Sequence, residues 1–580
     1  MVLACEPGST ADMHYVPDNP IIVQSDRSIL LETAGPKFEA ARNALSRFAE
    51  LVKSPEYIHT YRLSDLSLWN GASSGLTMAQ VVSDLERYAK YPLPPAIPVY
   101  IEDMMGRYGR LRLLPGDTED SLVLEADTPV RMKEVRGSRG VARLLGKRVD
   151  ARRYRVPVMQ RGEIKQALLR VGHPVQDLAG FVDGTALEVS LRSPDRRGRT
   201  WDLRRYQTDA VDAFLGGPVI EGPVGVDGGS GVVVLPCGAG KTIVGLSVLA
   251  QLGMRTLILC TNTTALRQWR NEILERTTLT EEEVREYSGS RKEVGAVTLS
   301  TYQMLTHRKT KGGPFTHFGL FDAENWGLVI YDEVHLLPAP VFRAVASIQA
   351  RRRLGLTATL VREDGRQGDV FALIGPKRFD VPWRELEHSG WIAEAECVEV
   401  RVAMNRAERL EYAGADDRER YRLASTIPEK QNVVEEIMRR HAGERVLVLG
   451  MYLDQLRALS DRLGAPLITG ETRQADRDRL FAAYRSGAVR TLVISRVGNF
   501  SVDLPDASVA IQVSGSWGSR QEEAQRLGRV LRPKEADNRA WFYTVVTRES
   551  VEQKFAERRQ RFLAEQGYRY TIETRDEKNG

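Results

Sequence analysis

Ten short, β-rich apolar runs, each set off by turns and helix-like stretches, constrain this 580-residue chain more than any other feature. The first five, GVVVL, TLILC, AVTLS, LVIYD and RLGLT, lie between residues 231 and 357; the second five, RVLVLG, PLITG, TLVIS, VAIQV and WFYTVV, lie between 445 and 546. Near-continuous Val, Ile and Leu with helices between them is the pattern of parallel strands buried on both faces. Two such series predict two α/β lobes in tandem with a cleft between them. A chain of this length exceeds what one hydrophobic core serves, so roughly three or four domains are expected.

Ahead of the lobes, a polar tail (1–17) leads into a mixed region (18–115) with helical patterns. Residues 37–53 carry apolar residues at helical spacing, Thr77 suits the N-cap of a helix ending near Lys90, and Pro98 suits the opening of another. A strand-like RLRLL at 110–114 follows. Helices followed by a strand predict an α+β, winged-helix-like unit, which serves DNA binding and protein docking equally. Residues 116–195 contain RMKEVRGSRGVARLLGKRVDARRYR, read either as a solvated face or as a track for a phosphate backbone. The Gly- and Pro-rich 216–231 reads as an exposed loop.

Basic residues outnumber acidic ones 82 to 77, a net charge of only +5, so any polyanion site has to come from local clustering. Cys5, Cys237, Cys260 and Cys397 have no paired spacing for zinc or a disulfide framework, which suits a reducing compartment. The chain starts without a signal-like segment and contains no run approaching the roughly 20 apolar residues of a membrane span. A cytoplasmic protein is expected.

In VVVLPCGAGKT a buried strand ends and a helix opens. Pro236, Cys237, Gly238, Ala239 and Gly240 form a loop whose N–H groups can approach phosphate oxygens, Lys241 neutralises the β and γ groups of ATP, and the Thr242 hydroxyl suits Mg²⁺. Leu235 stands where the usual phosphate-loop pattern has its first glycine. About ninety residues on, LVIYDEVH carries Asp332 and Glu333 to a strand end, the first to hold Mg²⁺ and the second to polarise the attacking water, with His335 just beyond. The two motifs in this order predict a nucleoside triphosphatase. Tyr206 and Gln207 precede the loop, and the amide can pair with an adenine edge. Thr357 and Thr359 in GLTATL can link nucleotide state to the second lobe. In QRLGRVLR, Gln525, Arg529 and Arg532 fall at helical spacing; the arginines can reach γ-phosphate charge across the cleft, although a charged amphipathic helix explains them equally in isolation.

Together, Gln207, GAGKT, DEVH, TAT, SRVGNFSVDLPDA and QRLGRVLR resemble the ordered motifs of superfamily 2 helicases. Within them the chain resembles the XPB family, through LPCGAGKT, DEVH, LGLTATLVRED, IGPKRF, SRQEEAQRLGRVLR, the KFAERRQRFLAEQGYRY ending and the N-terminal PIIVQSDRSILLE and EYIHTYRLSDLSLWNGASSGLT. The resemblance implies two RecA-like lobes: 196–385 binding ATP, and 386–560 with a small helical thumb insertion at about 404–428. Residues 561–580 form a C-terminal tail. It implies a 3′ to 5′ DNA helicase or duplex DNA translocase using ATP and Mg²⁺, with duplex, forked or 3′-tailed DNA as its partner and a role in excision repair. Arg362, Glu363 and Asp364 match a triplet implicated in duplex opening. Gly498, Asp503 and Gln525 join the nucleotide-binding set, and DNA crosses Thr261 to Gln268, Thr298 to Tyr302 and the segment from Gly498 to Asp503. Residues 116–195 take the place of a damage-recognition-like domain. The compact form is similar to the bacterial and archaeal branch, which implies a nucleoid-associated protein. A rival reading is an ATP-gated scaffold that distorts DNA and recruits a nuclease, and an RNA-unwinding enzyme is a third; a nuclease partner and the oligomeric state stay open.

Overall fold

A computed structural model describes residues 15–53, 57–73, 75–118, 121–179, 184–216, 229–236, 238–310, 316–317, 325–336, 352–358, 370, 373–381, 383–495, 507–515, 527, 539–565, 568 and 570–575. The chain divides into two compact units, Met1–Gly180 and Phe181–Gly580.

The first unit is α+β. Strands β1 (Ile21–Val23), β2 (Ser28–Glu32), β3 (Glu50–Lys53) and β4 (Ile58–Arg62) form an antiparallel sheet in the order β1-β2-β4-β3. Its core is built from Ile29, Leu31, Tyr61 and the helical Leu45, Leu68, Val81, Leu85 and Ile101. Thr77 caps Met78–Tyr88 in a reciprocal capping box with Gln80, as its sequence predicts. The helix expected over 37–53 is shorter, Phe38–Ser46, because residues 50–53 pair with β4: a strand partner overrides local helical periodicity. Pro98 lies within the first turn of Ala96–Met105 rather than opening it.

A second sheet, β5 (Leu111–Pro115), β6 (Ser121–Ala126), β7 (Arg153–Pro157) and β8 (Val175–Asp177), has the order β7-β6-β5-β8. The expected boundary at 115/116 therefore falls inside a hairpin, since β5 and β6 pair from Leu111↔Ala126 to Pro115↔Leu122. The basic stretch is folded across this layer. Lys133, Arg136, Arg139, Arg143, Lys147 and Arg148 are exposed, whereas Arg131 and Arg153 pair with Asp127 and Asp150.

The second unit carries two seven-stranded, all-parallel sheets. The first comprises β9 (Ser230–Val234), β10 (Thr256–Cys260), β11 (Val284–Tyr287), β12 (Val297–Thr301), β13 (Leu328–Asp332), β14 (Arg352–Thr357) and β15 (Lys377–Asp380), in the order β11-β12-β10-β13-β14-β9-β15. The other comprises β16 (Glu394–Val402), β17 (Val446–Gly450), β18 (Leu467–Ile468), β19 (Thr491–Ser495), β20 (Val509–Gln512), β21 (Arg539–Thr547) and β22 (Tyr570–Arg575), in the order β18-β19-β17-β20-β21-β16-β22. All ten apolar runs are strands. The tandem RecA-like arrangement is thus present, with four strands beyond those ten. The second sheet begins at β16 rather than at RVLVLG, and part of the expected tail, Tyr570–Arg575, is an edge strand paired with β16.

The thumb candidate is a helical hairpin. Arg406–Gly414 starts from a capping box between Asn405 and Glu408, and Asp417–Ser425 is capped by Asp416. The first helix buries none of its residues, while the second anchors the hairpin through buried Tyr421, whose hydroxyl donates to the Gly515 carbonyl at 2.6 Å.

Candidate active site

The phosphate loop leaves β9 and turns into helix Lys241–Leu252. Gly238 and Gly240 have φ of 83° and 79°, the left-handed region that glycine enters without steric cost. Successive N–H groups in such a turn, ending at a helix N-terminus, suit an anion. Leu235 departs from the pattern because of its place in the core: its side chain is buried and its N–H donates to the Thr357 carbonyl at 2.9 Å, tying the loop to β14.

Gln207 is tied into the protein through both ends of its amide. Its Nε2 donates to the Ala239 carbonyl at 3.0 Å and its Oε1 accepts the Arg204 N–H at 3.0 Å, while the Tyr206 hydroxyl donates to the same Ala239 carbonyl at 2.8 Å. Both residues therefore hold the phosphate loop from behind. A Cβ on Gly240 would come within 2.5 Å of the Gln207 Nε2. Gly240→Ala combines that contact with a strained φ, a cost of about 1–2 kcal/mol from backbone alone. It is expected to weaken nucleotide affinity roughly tenfold in a fluorescent-nucleotide titration; unchanged affinity would show that the loop carries no such constraint.

The carboxylate pair sits at the end of β13. Glu333 has φ of 50°, rare for a residue with a side chain, and strain of this kind concentrates at functional sites. The turn directs its carboxylate to both neighbouring motifs: Lys241 Nζ lies 3.5 Å from Oε1, and His335 Nδ1 lies 3.4 Å from Oε2. His335 is buried and its Nδ1 is 2.5 Å from the Thr357 hydroxyl. Lys241, Glu333, His335 and Thr357, predicted from three separate motifs, are joined in one polar chain.

Asp332 is half-buried at the end of β13. Burial first, and the adjacent Glu333 second, push its pKa up to about 6, opposed by the Lys241 charge and the neighbouring Trp269 indole. Trp269 was not among the predicted residues. It sits on helix Thr263–Arg276 and its ring packs against Gly245 of the phosphate-loop helix, where a Cβ would approach to 2.5 Å. Its only sequence signal is an aromatic at an apolar helical position, which reads as core. Tyr302, which is buried, donates to the Asp332 carbonyl at 2.7 Å.

For Mg²⁺ the donors are few and of the right kind. Among the described residues no group of three or more His, Cys, Asp or Glu side chains is gathered as a dedicated metal centre. One carboxylate, one hydroxyl and the substrate's phosphates are a usual magnesium set, and Asp332 with Thr242 on the adjoining helix turn fits it.

The expected DNA face is only partly at the surface. Thr261 to Gln268 form the accessible start of helix Thr263–Arg276, capped by Asn262, but Thr298 to Tyr302 are buried; the Thr298 and Ser300 hydroxyls donate to the Gly295 and Tyr287 carbonyls. Parallel-strand residues facing a covered layer have no surface to offer. Cys237, Thr359, Arg362, Glu363, Asp364, Gly498, Asp503, Gln525, Arg529 and Arg532 lie outside the described residues.

Three family models match: ERCC3/RAD25/XPB C-terminal helicase over residues 386–579, type III restriction enzyme res subunit over 200–362, and helicase conserved C-terminal domain over 21–150. The chain is 54% identical over 563 residues to "DNA 3'-5' helicase XPB" of Kineococcus radiotolerans, covering 97% of this chain and 98% of the relative. The chain belongs to the XPB helicase family. A second XPB relative, from Mycobacterium tuberculosis, is 53% identical over 97% of this chain and 98% of its own length. The likeness reaches the eukaryotic branch: the XPB subunit of the general transcription and DNA repair factor IIH of Antonospora locustae is 34% identical, over 96% of this chain and 81% of that one. The XPB likeness thus spans both units, including the basic layer.

Proposed function

We infer that this chain is an ATP-driven DNA 3′-5′ helicase or duplex translocase that opens DNA in repair. The single observation that carries the chemistry is the placement of Lys241 3.5 Å from Glu333, with His335 bridging on to Thr357. Lys241 balances phosphate charge, Glu333 orients the attacking water, and Asp332 and Thr242 hold Mg²⁺, which supplies charge neutralisation at the phosphates. Arg529 and Arg532 complete the charge balance from the second lobe. His335 and Thr357 pass the change at the γ-phosphate into β14. Gly498, Asp503 and Gln525 complete the nucleotide contacts, while Thr359, Arg362, Glu363 and Asp364 link closure to strand separation. The accessible start of helix Thr263–Arg276 and the exposed arginines of the basic layer contact the phosphate backbone.

No helix among the described residues is long and apolar enough to cross a membrane. With a chromosomal substrate and bacterial relatives, we place the enzyme at the nucleoid.

A labelled duplex with a 3′ tail, incubated with ATP and Mg²⁺, is expected to release its displaced strand, whereas a 5′-tailed duplex is not. Binding and hydrolysis without displacement from either would instead mark an ATP-gated scaffold, and stronger stimulation by RNA than by DNA would redirect the assignment to RNA. The raised Asp332 pKa adds a pH test. A proton competes with the metal for this carboxylate, and a carboxyl titrating near 6 is increasingly protonated below that pH. The Mg²⁺ concentration needed for half-maximal ATPase is therefore expected to rise below pH about 6; a requirement flat from pH 7 to 5 would remove Asp332 as the metal ligand.

A further inference from the structure

We propose that Trp391, in the segment joining the two lobes, is a positioning residue that sets the affinity of the nucleotide site through Arg204 and Tyr206. The inference rests on the assignment of the phosphate loop to ATP.

Trp391 lies between helix Trp383–His388 and β16, the strand that opens the second sheet. Its N–H donates to the Leu386 carbonyl at 2.8 Å, and Ile392 and Ala393 beside it are buried, so its backbone is anchored. The residue nonetheless remains 39% exposed. One partner of the ring is the Arg204 guanidinium, 4.9 Å from its centroid. Arg204 Nη1 also donates to the Trp391 carbonyl at 3.2 Å and to the Tyr206 hydroxyl at 3.1 Å, and the Tyr206 ring meets the indole edgewise with centroids 6.3 Å apart.

The same residues grip the phosphate loop. Tyr206 and Gln207 both donate to the Ala239 carbonyl, and Gln207 Oε1 holds the Arg204 N–H. A continuous path therefore runs from the interlobe segment, through a stacked guanidinium and a phenol, to the carbonyl immediately before Gly240. A guanidinium on an indole face is held by the ring quadrupole, and its planar fork keeps several donors aligned at once. Removing the ring takes away the face that orients the guanidinium and leaves Arg204 held by the Trp391 carbonyl and the Tyr206 hydroxyl alone, so its hold on Tyr206 weakens and the loop is less firmly kept in its anion-binding shape. A change in the interlobe segment then becomes a change in nucleotide affinity.

The test compares full-length wild type, Trp391→Phe, Trp391→Leu, Arg204→Lys and Lys241→Ala, with affinity read by titrating a fluorescent ADP analogue in Mg²⁺ and ATPase read as KM and kcat. Trp391→Phe, which keeps an aromatic face, is expected to bind within about twofold of wild type. Trp391→Leu, which keeps bulk but no quadrupole, is expected to bind about fivefold more weakly, with KM raised in proportion and kcat nearly unchanged. Arg204→Lys is expected to show a similar loss, and combining it with Trp391→Leu to add little, since both cut one path. Leucine and phenylalanine variants of equal affinity, a lowered kcat at unchanged affinity, or additive losses in the double variant would each overturn the proposal. If Trp391→Leu does not fold, Arg204→Lys with normal affinity overturns it alone. Wild type and Lys241→Ala binding the analogue equally would remove the nucleotide assignment, and this proposal with it; loss of binding in Lys241→Ala alone leaves the Trp391 comparison decisive.

Discussion

Lys241→Ala is expected to lower DNA-stimulated ATP turnover by about 10²–10³-fold, the scale seen when one group stabilising transition-state charge is removed. The ammonium sits at the first turn of the phosphate-loop helix, largely covered, 3.5 Å from the Glu333 carboxylate. It balances Glu333 here, and in the proposed scheme it turns to phosphate charge when nucleotide enters. Its charge also restrains the Asp332 pKa, so its loss leaves two adjacent carboxylates facing the phosphates and raises Asp332 further. The variant should therefore lose both catalysis and metal affinity. Phosphate release measured against DNA concentration checks this; wild-type turnover in a folded Lys241→Ala protein would end the case for ATP chemistry at this loop.

Arg529→Ala and Arg532→Ala address the second lobe, where we propose that cations reach the γ-phosphate on closure. An arginine delivered in this way is worth about 10³–10⁵ in rate, so at least one variant should be nearly inactive. The loss should lie in kcat, because the charge these residues meet develops during cleavage, and ATP affinity should change much less. Lysine at the affected position should rescue poorly, since it lacks the planar fork of donors. Two alanine variants that hydrolyse ATP at wild-type rates would leave the lobes catalytically uncoupled and refute the bridging scheme.

The motifs of the first lobe were legible because their signals are local. Glycines that need positive φ, a lysine and threonine at a helix start, and two acids at the end of an apolar strand all declare themselves within a few residues. The same holds for the capping boxes at Thr77 and Asn405. The basic run between residues 131 and 155 shows the limit of that kind of reading. Its charge density is visible in the chain, but only folding reveals that Arg131 and Arg153 are engaged by aspartates while Lys133, Arg139 and Arg143 face outward.

The order of residues alone determined the two lobes, their ten apolar strands, a helical hairpin near residues 404–428 and the residue types that the proposed scheme assigns to phosphate and metal. Each follows from periodicity, backbone preference or a short motif, which neighbouring residues specify without help from the rest of the chain. Tertiary structure decided the edge strands β15 and β22, the turning of Gln207 onto the Ala239 carbonyl, the indole of Trp269 against Asp332, and the stacking of Trp391 on Arg204 across 187 positions of sequence. Those choices rest on contacts between segments far apart in the chain. A buried polar atom takes whichever partner packing brings within hydrogen-bonding reach, and no local pattern names that partner in advance.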